Sequence, residues 1–250
     1  MYTLKKSLGQ HFLRDENMVL RIVAAIRSHS FERLLEVGPG GGALTRHLLE
    51  IPGIEFKAVE LDTEKVDYLE RTYPSIRGKI IHASILDIDA PFDDRFLLAG
   101  NFPYNISSQI LFKILDWRDK ADIMVGMFQK EVAQRIVAQH GNKTYGILSV
   151  LVQAFYDVKY LFEVHEQCFN PPPKVKSAVI QLTLRQTPLM IGNEKKFFTL
   201  VKTAFNQRRK TLRNAVRGLF DETVLKDDIF NKRAEQLTVA DFVILHTQMK

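Results

Sequence analysis

Apolar positions along the first three-quarters of the chain follow two alternating rhythms. Short aliphatic and β-branched runs predict strands at Leu34–Gly38, Phe56–Leu61, Lys79–His82, Phe96–Gly100, Ile123–Phe128, Lys159–Val164 and Ala178–Leu184. Between most of them the spacing changes to a helical one, at Ala43–Ile51, Thr63–Tyr73, Ser107–Trp117, Lys130–Gln139 and Tyr145–Tyr156. An earlier helix over Glu16–Ser28 places Val19, Ile22, Val23 and Ile26 on one face. Strands that alternate with helices imply parallel βαβ units with right-handed crossovers. The expectation is an α/β, seven-stranded, doubly wound Rossmann-like sheet over residues 1–185. Such a sheet binds ligands at the carboxyl ends of its strands, near the switch point.

After Leu184 the pattern changes. Gln186–Asn193 contains Pro188, Gly192 and Asn193 and reads as a linker. Beyond it only helical stretches follow, around Lys195–Phe220 and Thr238–Gln248, with Thr238 and Asp241 spaced as a helix N-cap. A small C-terminal all-α domain over 194–250 is therefore expected.

Composition alters this picture little. The 250 residues are 46% apolar and 26% charged, ordinary for a globular protein, so low-complexity and disordered readings drop out. The lone Cys168 cannot close an internal disulfide, and the histidines show no ligand-like pairing, so no metal site is expected. Lys5 and Lys6 are followed by no apolar signal-peptide core. The longest charge-free run, Phe96–Phe112, is broken by Pro103 and by amides and hydroxyls, so it is no membrane span. A cytoplasmic monomer is the default expectation.

Charge says more once it is located. The net charge is +6, yet Lys195–Phe220 holds eight Lys or Arg and no acid, which leaves the rest of the chain at −2. A near-neutral body with one concentrated basic segment points to a polyanionic partner, although a solvated helix face gives the same composition. If Phe198–Leu219 is one helix, Phe198, Val201, Phe205, Leu212, Val216 and Leu219 form its apolar stripe. Lys202, Arg209, Arg213 and Arg217 then line one flank, suited to tracking a phosphate backbone.

Three strand ends carry the chemistry. The first strand breaks into Gly38-Pro39-Gly40-Gly41-Gly42, where glycines let the backbone approach a ligand closely. The spacing is not the G-x-G-x-x-G of a dinucleotide site, and a purely structural turn remains open. The second strand ends at Glu60, a carboxylate placed to accept both hydroxyls of a ribose. The fourth ends in Asn101-Phe102-Pro103-Tyr104. The Asn101 amide oxygen and a backbone carbonyl released by the Pro103 turn are two acceptors that can converge on one exocyclic amine. Holding both its protons favours the pyramidal nitrogen that attacks a methyl group, which stabilises the transition state more than the ground state. Tyr104 offers an aromatic face for the base.

With these residues in view, the chain resembles the bacterial small-subunit ribosomal RNA adenine dimethyltransferases, the KsgA family, from Lys6 almost to its end. Five ordered motifs carry the resemblance: Leu8–Leu13, Glu36–Thr45, Asn101–Ser108, Phe169–Val175 and Phe205–Lys210. It implies a class I methyltransferase fold with S-adenosylmethionine (SAM) as cofactor. It further implies that His11 and Leu13 close over the SAM, that Gly38 and Gly40 meet it through backbone, and that Glu60 holds the ribose. Asn101 would touch cofactor and target amine, with Pro103 and Tyr104 completing the catalytic motif. Phe169 would stack on a flipped adenine opposite Tyr104. The substrate implied is a pair of adjacent adenosines near the 3′ end of 16S rRNA, within the 30S subunit or its precursor. Lys202, Arg208, Arg209, Lys210, Arg213 and Arg217 would bind the RNA.

Two positions depart from the family pattern. His11 stands where many members have Asn. Ser84 stands where an Asp usually bonds the SAM adenine, leaving Ser84 or Asp87 for that contact. The alternatives are a large-subunit rRNA adenine methyltransferase of the erythromycin-resistance type and a non-catalytic subunit assembly factor. The Leu8–Leu13 and Phe205–Lys210 motifs argue against the first, and intact Asn101, Pro103 and Tyr104 against the second.

Overall fold

The computed structural model describes residues 11–250; the Leu8–Gln10 part of the first motif lies outside the described residues. In chain order the elements are β1 (Phe12–Leu13), α1 (Glu16–Arg27), β2 (Arg33–Val37), α2 (Thr45–Leu48), β3 (Glu55–Glu60), α3 (Thr63–Thr72), β4 (Ile80–His82), β5 (Phe96–Asn101) and α4 (Ser107–Asp116). Then follow β6 (Ala121–Gln129), α5 (Lys130–Val137), α6 (Ile147–Phe155), β7 (Tyr156–Val164), β8 (Phe169–Asn170), β9 (Ser177–Leu184), α7 (Glu194–Asn206), α8 (Leu212–Ala215) and α9 (Val239–His246). All seven expected strands are present, in one sheet of order β4-β3-β2-β5-β6-β9-β7.

The pairings from β4 across to β6 are parallel, and β9 runs antiparallel to β6. β2, β5 and β6 are buried almost end to end, as the near-continuous apolar runs of strands covered on both faces require. The chain builds outward from β2 to β4, then returns to lay β5 on the other side of β2. The carboxyl ends of β2 and β5 therefore flank the switch point where such sheets open a crevice. Side chains cap the flanking helices where the sequence allows: Asp15 accepts from Met18 N–H at the start of α1, and Asp62 from Glu64 N–H at the start of α3. A two-residue ribbon, β1 with β8, pairs Leu13 with Phe169 and has no counterpart in the periodicity.

Internal contacts divide the chain into two compact units, 1–133 with 159–184, and 134–158 with 185–250. The boundary expected at 185 is met by the division at 184/185, but 134–158, expected within the first domain, groups with the C-terminal part. The reason is α6, which buries Ser149, Val150, Leu151, Val152, Gln153 and Ala154 and so needs cover on more than one face. Within the second unit α7 supplies that cover, with Phe198 against Phe155 and Phe205 edge-on to Tyr145. The Thr238–Asp241 capping box opens α9 as expected.

The continuous helix expected over 198–219 is also corrected. α7 stops at Asn206, and the chain then turns before the single turn of α8 and a 3₁₀ turn at Arg217–Leu219. Asn206 to Thr211 contains no apolar side chain, so nothing there would bury one face of a helix. The row of four cations along one flank does not form. Among the described residues no helix is long and apolar enough to cross a membrane.

Candidate active site

The first unit carries a cavity of about 200 Å³ at the carboxyl ends of β2, β3 and β5. His11, Leu13, Gly38, Gly40, Glu60, Ser84, Asn101, Pro103 and Tyr104 all line it, together with Glu36, Phe12 and Lys65.

The glycine turn after β2 forms one wall. Gly40 has φ +59°, which favours glycine, and a Cβ there would lie 3.1 Å from the Phe12 ring, so the ring would have to give by a few tenths of an ångström. Its N–H donates to Glu60 Oε2 at 3.2 Å, while Oε1 accepts from the N–H groups of Leu61 and Asp62 at 3.0 Å each. Three backbone donors thus fix the Glu60 carboxylate at the strand end, with lone-pair capacity left over for hydroxyl donors.

Asn101 is the last residue of β5. Its amide N–H donates to the His11 carbonyl at 3.1 Å, so the side-chain orientation is set and Oδ1 is left without a hydrogen bond among the described residues. The following residue locks the turn. Phe102 packs edge-on to Phe128 at 5.0 Å over Gly126, where an added Cβ would come within 2.1 Å of its ring. Pro103 O accepts from Ile106 N–H at 3.2 Å. The Tyr104 hydroxyl is paired with Ser177 Oγ, and burial raises its pKa above the ordinary phenol value, with the Ser177 bond opposing part of that rise. The Tyr104 ring stacks on the His11 imidazole with centroids 5.6 Å apart, and His11 Nδ1 lies 2.9 Å from the Pro171 carbonyl.

At the opposite wall Ser84 lines the cavity and Asp87 does not. Ser84 Oγ accepts from Leu86 N–H at 3.2 Å and keeps its own proton and a second lone pair available. Phe169 requires a correction: it is fully buried in the core beside Leu13, Val164 and Val179, and is not part of the cavity lining. It pairs with Leu13 in the β1–β8 ribbon, and at 0% exposure it presents no face to a base.

The basic residues lie in the second unit and separate into two kinds. Arg208 donates to the Tyr145 carbonyl at 2.8 Å and to the Asn142 carbonyl at 3.4 Å, with Glu235 at 3.6 Å. Arg213 donates to the Leu225 carbonyl at 2.9 Å. These two are structural ties rather than an open cationic surface. Lys202, Arg209, Lys210 and Arg217 are exposed, with Lys202 6.0 Å from the Phe198 ring centre and Arg217 3.8 Å from Glu222.

Sequence reasoning gave no role to Glu36, Phe12, Lys65 or Ser177. For Glu36 a signal existed, since it is the one acidic residue inside the otherwise apolar run from Leu34 to Val37. It is 1% exposed, and burial pushes its carboxyl up from 4.5 to about 8, with a smaller upward push from Glu60 and a partial offset from the Thr45 hydroxyl. Phe12 joins Lys65, whose ammonium lies 5.1 Å from its ring centre.

The residues fit a nucleoside-bearing sulfonium cofactor. A carboxylate sits at the second strand end, a glycine turn admits close backbone approach, a hydroxyl stands at the far wall, and the buried Glu36 Oε2 lacks a partner among the described residues.

Comparison with known proteins agrees. The protein of Cytophaga hutchinsonii named ribosomal RNA small subunit methyltransferase A is 50% identical over 95% of this chain and 94% of its own length. Its namesake in Flavobacterium johnsoniae is 50% identical over 96% of this chain and 94% of its own. Among solved structures, a dimethyladenosine transferase from Plasmodium falciparum superposes with a TM-score of 0.82 at 25% identity, covering 96% of this chain and 99% of that one. The 23S rRNA methyltransferase ErmE shares the fold, with a TM-score of 0.71 at 22% identity over 95% of this chain and all of its own. The model of the ribosomal RNA adenine dimethylase family matches residues 1–246, and this chain belongs to that family.

Proposed function

We propose that this protein transfers methyl groups from SAM to N6 of two adjacent adenosines near the 3′ end of small-subunit 16S rRNA, two to each, within the 30S subunit or its precursor. The observation that carries this reading is the orientation of Asn101. With its amide N–H donated to the His11 carbonyl, Oδ1 is the atom presented for an incoming donor. The Phe102 carbonyl, next along the turn, is the candidate for the second acceptor, since the Pro103 carbonyl is already occupied by Ile106 N–H.

When bound, SAM supplies an electrophilic methyl on a positively charged sulfur. Gly38 and Gly40 give it backbone room, Glu60 accepts from the ribose hydroxyls, and Ser84 meets the adenine edge. Leu13 contributes apolar cover, and His11 holds Asn101 through its carbonyl. In the first transfer Asn101 Oδ1 and the Phe102 carbonyl would accept from the two amine N–H groups and aim the nitrogen lone pair. One proton passes to water as the N–C bond replaces the S–C bond, and in the second transfer the single remaining N–H would be held by one of the two acceptors. Such holding favours the pyramidal nitrogen over the flat, conjugated one, a stabilisation realised in the transition state. A base that flips in to reach them stacks on Tyr104, worth roughly 1–3 kcal/mol per base; the His11 imidazole stacks on the same ring. Lys202, Arg209, Lys210 and Arg217 provide the cations for the RNA backbone, which position without reading sequence.

The names of the 50%-identical relatives support the small-subunit substrate over the large-subunit one. The test offers labelled SAM to small subunits lacking this modification, with mature large subunits and duplex DNA as controls, and identifies the product by mass spectrometry of digested RNA. Dimethyladenosine in small-subunit RNA alone is expected. Label in large-subunit RNA moves the protein to the resistance class, and subunit binding without label makes it an assembly factor.

A further inference from the structure

One buried residue beside the cavity has no part in the chemistry described so far. Ser177 opens β9 and is 0% exposed, and its Oγ is hydrogen-bonded to the hydroxyl of Tyr104, 73 residues upstream. A hydroxyl taken wholly out of water is costly unless it is paired, so a serine at this position has its match in that phenol. Tyr104 is held at its other end too. Its carbonyl accepts from Ser107 Oγ at 3.1 Å, and Ser107 is 2% exposed. One serine fixes the main chain of the tyrosine and the other fixes the tip of its ring.

The sheet sets where that tip is held. Asn101 at the end of β5 lies level with Met127 of β6, and Met127 with Val179 of β9. Ser177 is two residues before Val179 and shares its face of the sheet. Because β9 runs antiparallel, Ser177 stands about 7 Å beyond the Asn101 level on the carboxyl side of β5, at ~3.4 Å per residue. The cavity opens on that side. Acceptor and ring anchor therefore keep a fixed spacing on one sheet, two strands apart. Burial raises the Tyr104 pKa, so the phenol keeps its proton through the neutral range. Stacking needs only the ring face, which phenylalanine also has; the hydroxyl adds a handle by which the ring is held.

We propose that Ser177 is a positioning residue for methyl transfer, anchoring the Tyr104 ring at the tilt and depth at which the target base stacks, and that it matters most for the second methyl. The inference rests on the reading above that the base stacks on Tyr104. In each transfer an N–C bond forms as an S–C bond breaks and one proton passes to water; neither hydroxyl takes that proton. What differs between the two transfers is the grip on the base. The unmethylated amine offers two N–H groups to the two acceptors and the monomethylated amine offers one, so after the first transfer more of the hold falls to the stack. A ring free to swing loses that hold sooner, and the base leaves with a single methyl.

The test incubates the full chain with excess SAM and small subunits that lack the modification, and counts N6-methyladenosine and N6,N6-dimethyladenosine in the digested RNA over time. Calorimetry of S-adenosylhomocysteine binding to the same chains runs alongside. Ser177→Ala and Tyr104→Phe each remove the bond and should slow the second transfer about three- to tenfold, the worth of one net hydrogen bond. The first should slow less than about threefold, so that N6-methyladenosine accumulates, while affinity for S-adenosylhomocysteine stays within about twofold. The double variant replaces a buried hydroxyl pair by apolar groups and should fold as the wild type does, which keeps the test decisive if Ser177→Ala folds poorly. It should be no slower than either single variant, since both remove one shared bond. Tyr104→Ala removes the ring and tests the stack itself: wild-type rates there overturn the stacking reading and this inference with it, as does a wild-type chain that forms no dimethyladenosine. The inference alone is overturned by wild-type product ratios in Ser177→Ala and Tyr104→Phe beside an impaired Tyr104→Ala, by additive losses in the double variant, or by equal slowing of both transfers. A Tyr104→Phe defect far exceeding that of Ser177→Ala also overturns it, because the phenol would then be a reacting group.

Discussion

The cavity of the first unit and the basic segment of the second both concentrate charged side chains, and in both the backbone decides which of them are available. In the cavity, Glu60 is held by three N–H donors while Glu36 Oε2 has none among the described residues. In the segment, Arg208 and Arg213 are committed to carbonyl oxygens while Arg209 and Lys210 stand exposed. The sign of the charge is the same within each comparison, but the consequence is not. A charged group already matched to the backbone is part of the fold, and one left unmatched is poised for a ligand.

That contrast yields experiments that separate loss of function from loss of stability. Asn101→Ala removes the oriented acceptor and should lower the methyl-transfer rate about 10²–10³-fold, as removal of one preorganised polar group commonly does. Affinity for S-adenosylhomocysteine should change less than tenfold. Loss of cofactor binding in proportion to rate would show that Asn101 serves the cofactor alone.

The Glu36 carboxyl makes a second contrast, visible in the melting temperature of the cofactor-free protein. Its pKa is raised on folding, from 4.5 to about 8, so the stability it contributes is whole below about pH 4.5 and is lost as pH rises through about 8. Wild type and Glu36→Gln should therefore melt alike near pH 4.5 and diverge toward pH 8, with the wild type the less stable. Parallel curves would mean that the carboxyl is not buried unpaired.

Arg208→Ala should cost about 1.5–3 kcal/mol in denaturant unfolding, the range for hydrogen bonds to a charged group, and leave the salt dependence of RNA binding unchanged. The double substitution Arg209→Ala with Lys210→Ala should do the reverse. Stability should stay within about 0.5 kcal/mol, and the slope of log affinity against log salt should shrink by about 1–2. Interchanged results would erase the distinction between the two kinds of cation. Smallest of all, Ser84→Asp should tighten SAM binding about three- to tenfold, by giving the adenine amine a charged acceptor.

What could be read from sequence follows the same logic of local versus distant partners. The strands were legible because β2, β5, β6 and β9 are buried along nearly their whole length. Glu60 and Asn101 were placed correctly at strand ends because each directly follows such a run. The base-stacking role expected of Phe169 came from the resemblance alone, and its burial could not be foreseen because its partner Leu13 lies far away in sequence. Arg208 was misread for the same reason, since the carbonyl that binds it is 63 residues upstream. The helix assumed across 207–211 extended a periodicity through residues that have no apolar side to continue it.

The division of the chain into 1–133 with 159–184 and 134–158 with 185–250 has a practical consequence for cutting it. The polypeptide passes from one unit to the other three times, at 133/134, 158/159 and 184/185. Cleavage within the 186–193 stretch therefore does not release a self-contained N-terminal fragment. It strands α6 without α7, and Phe155 without Phe198, and exposes Val150 and Leu151 to water. Such a fragment is expected to be sticky and poorly soluble.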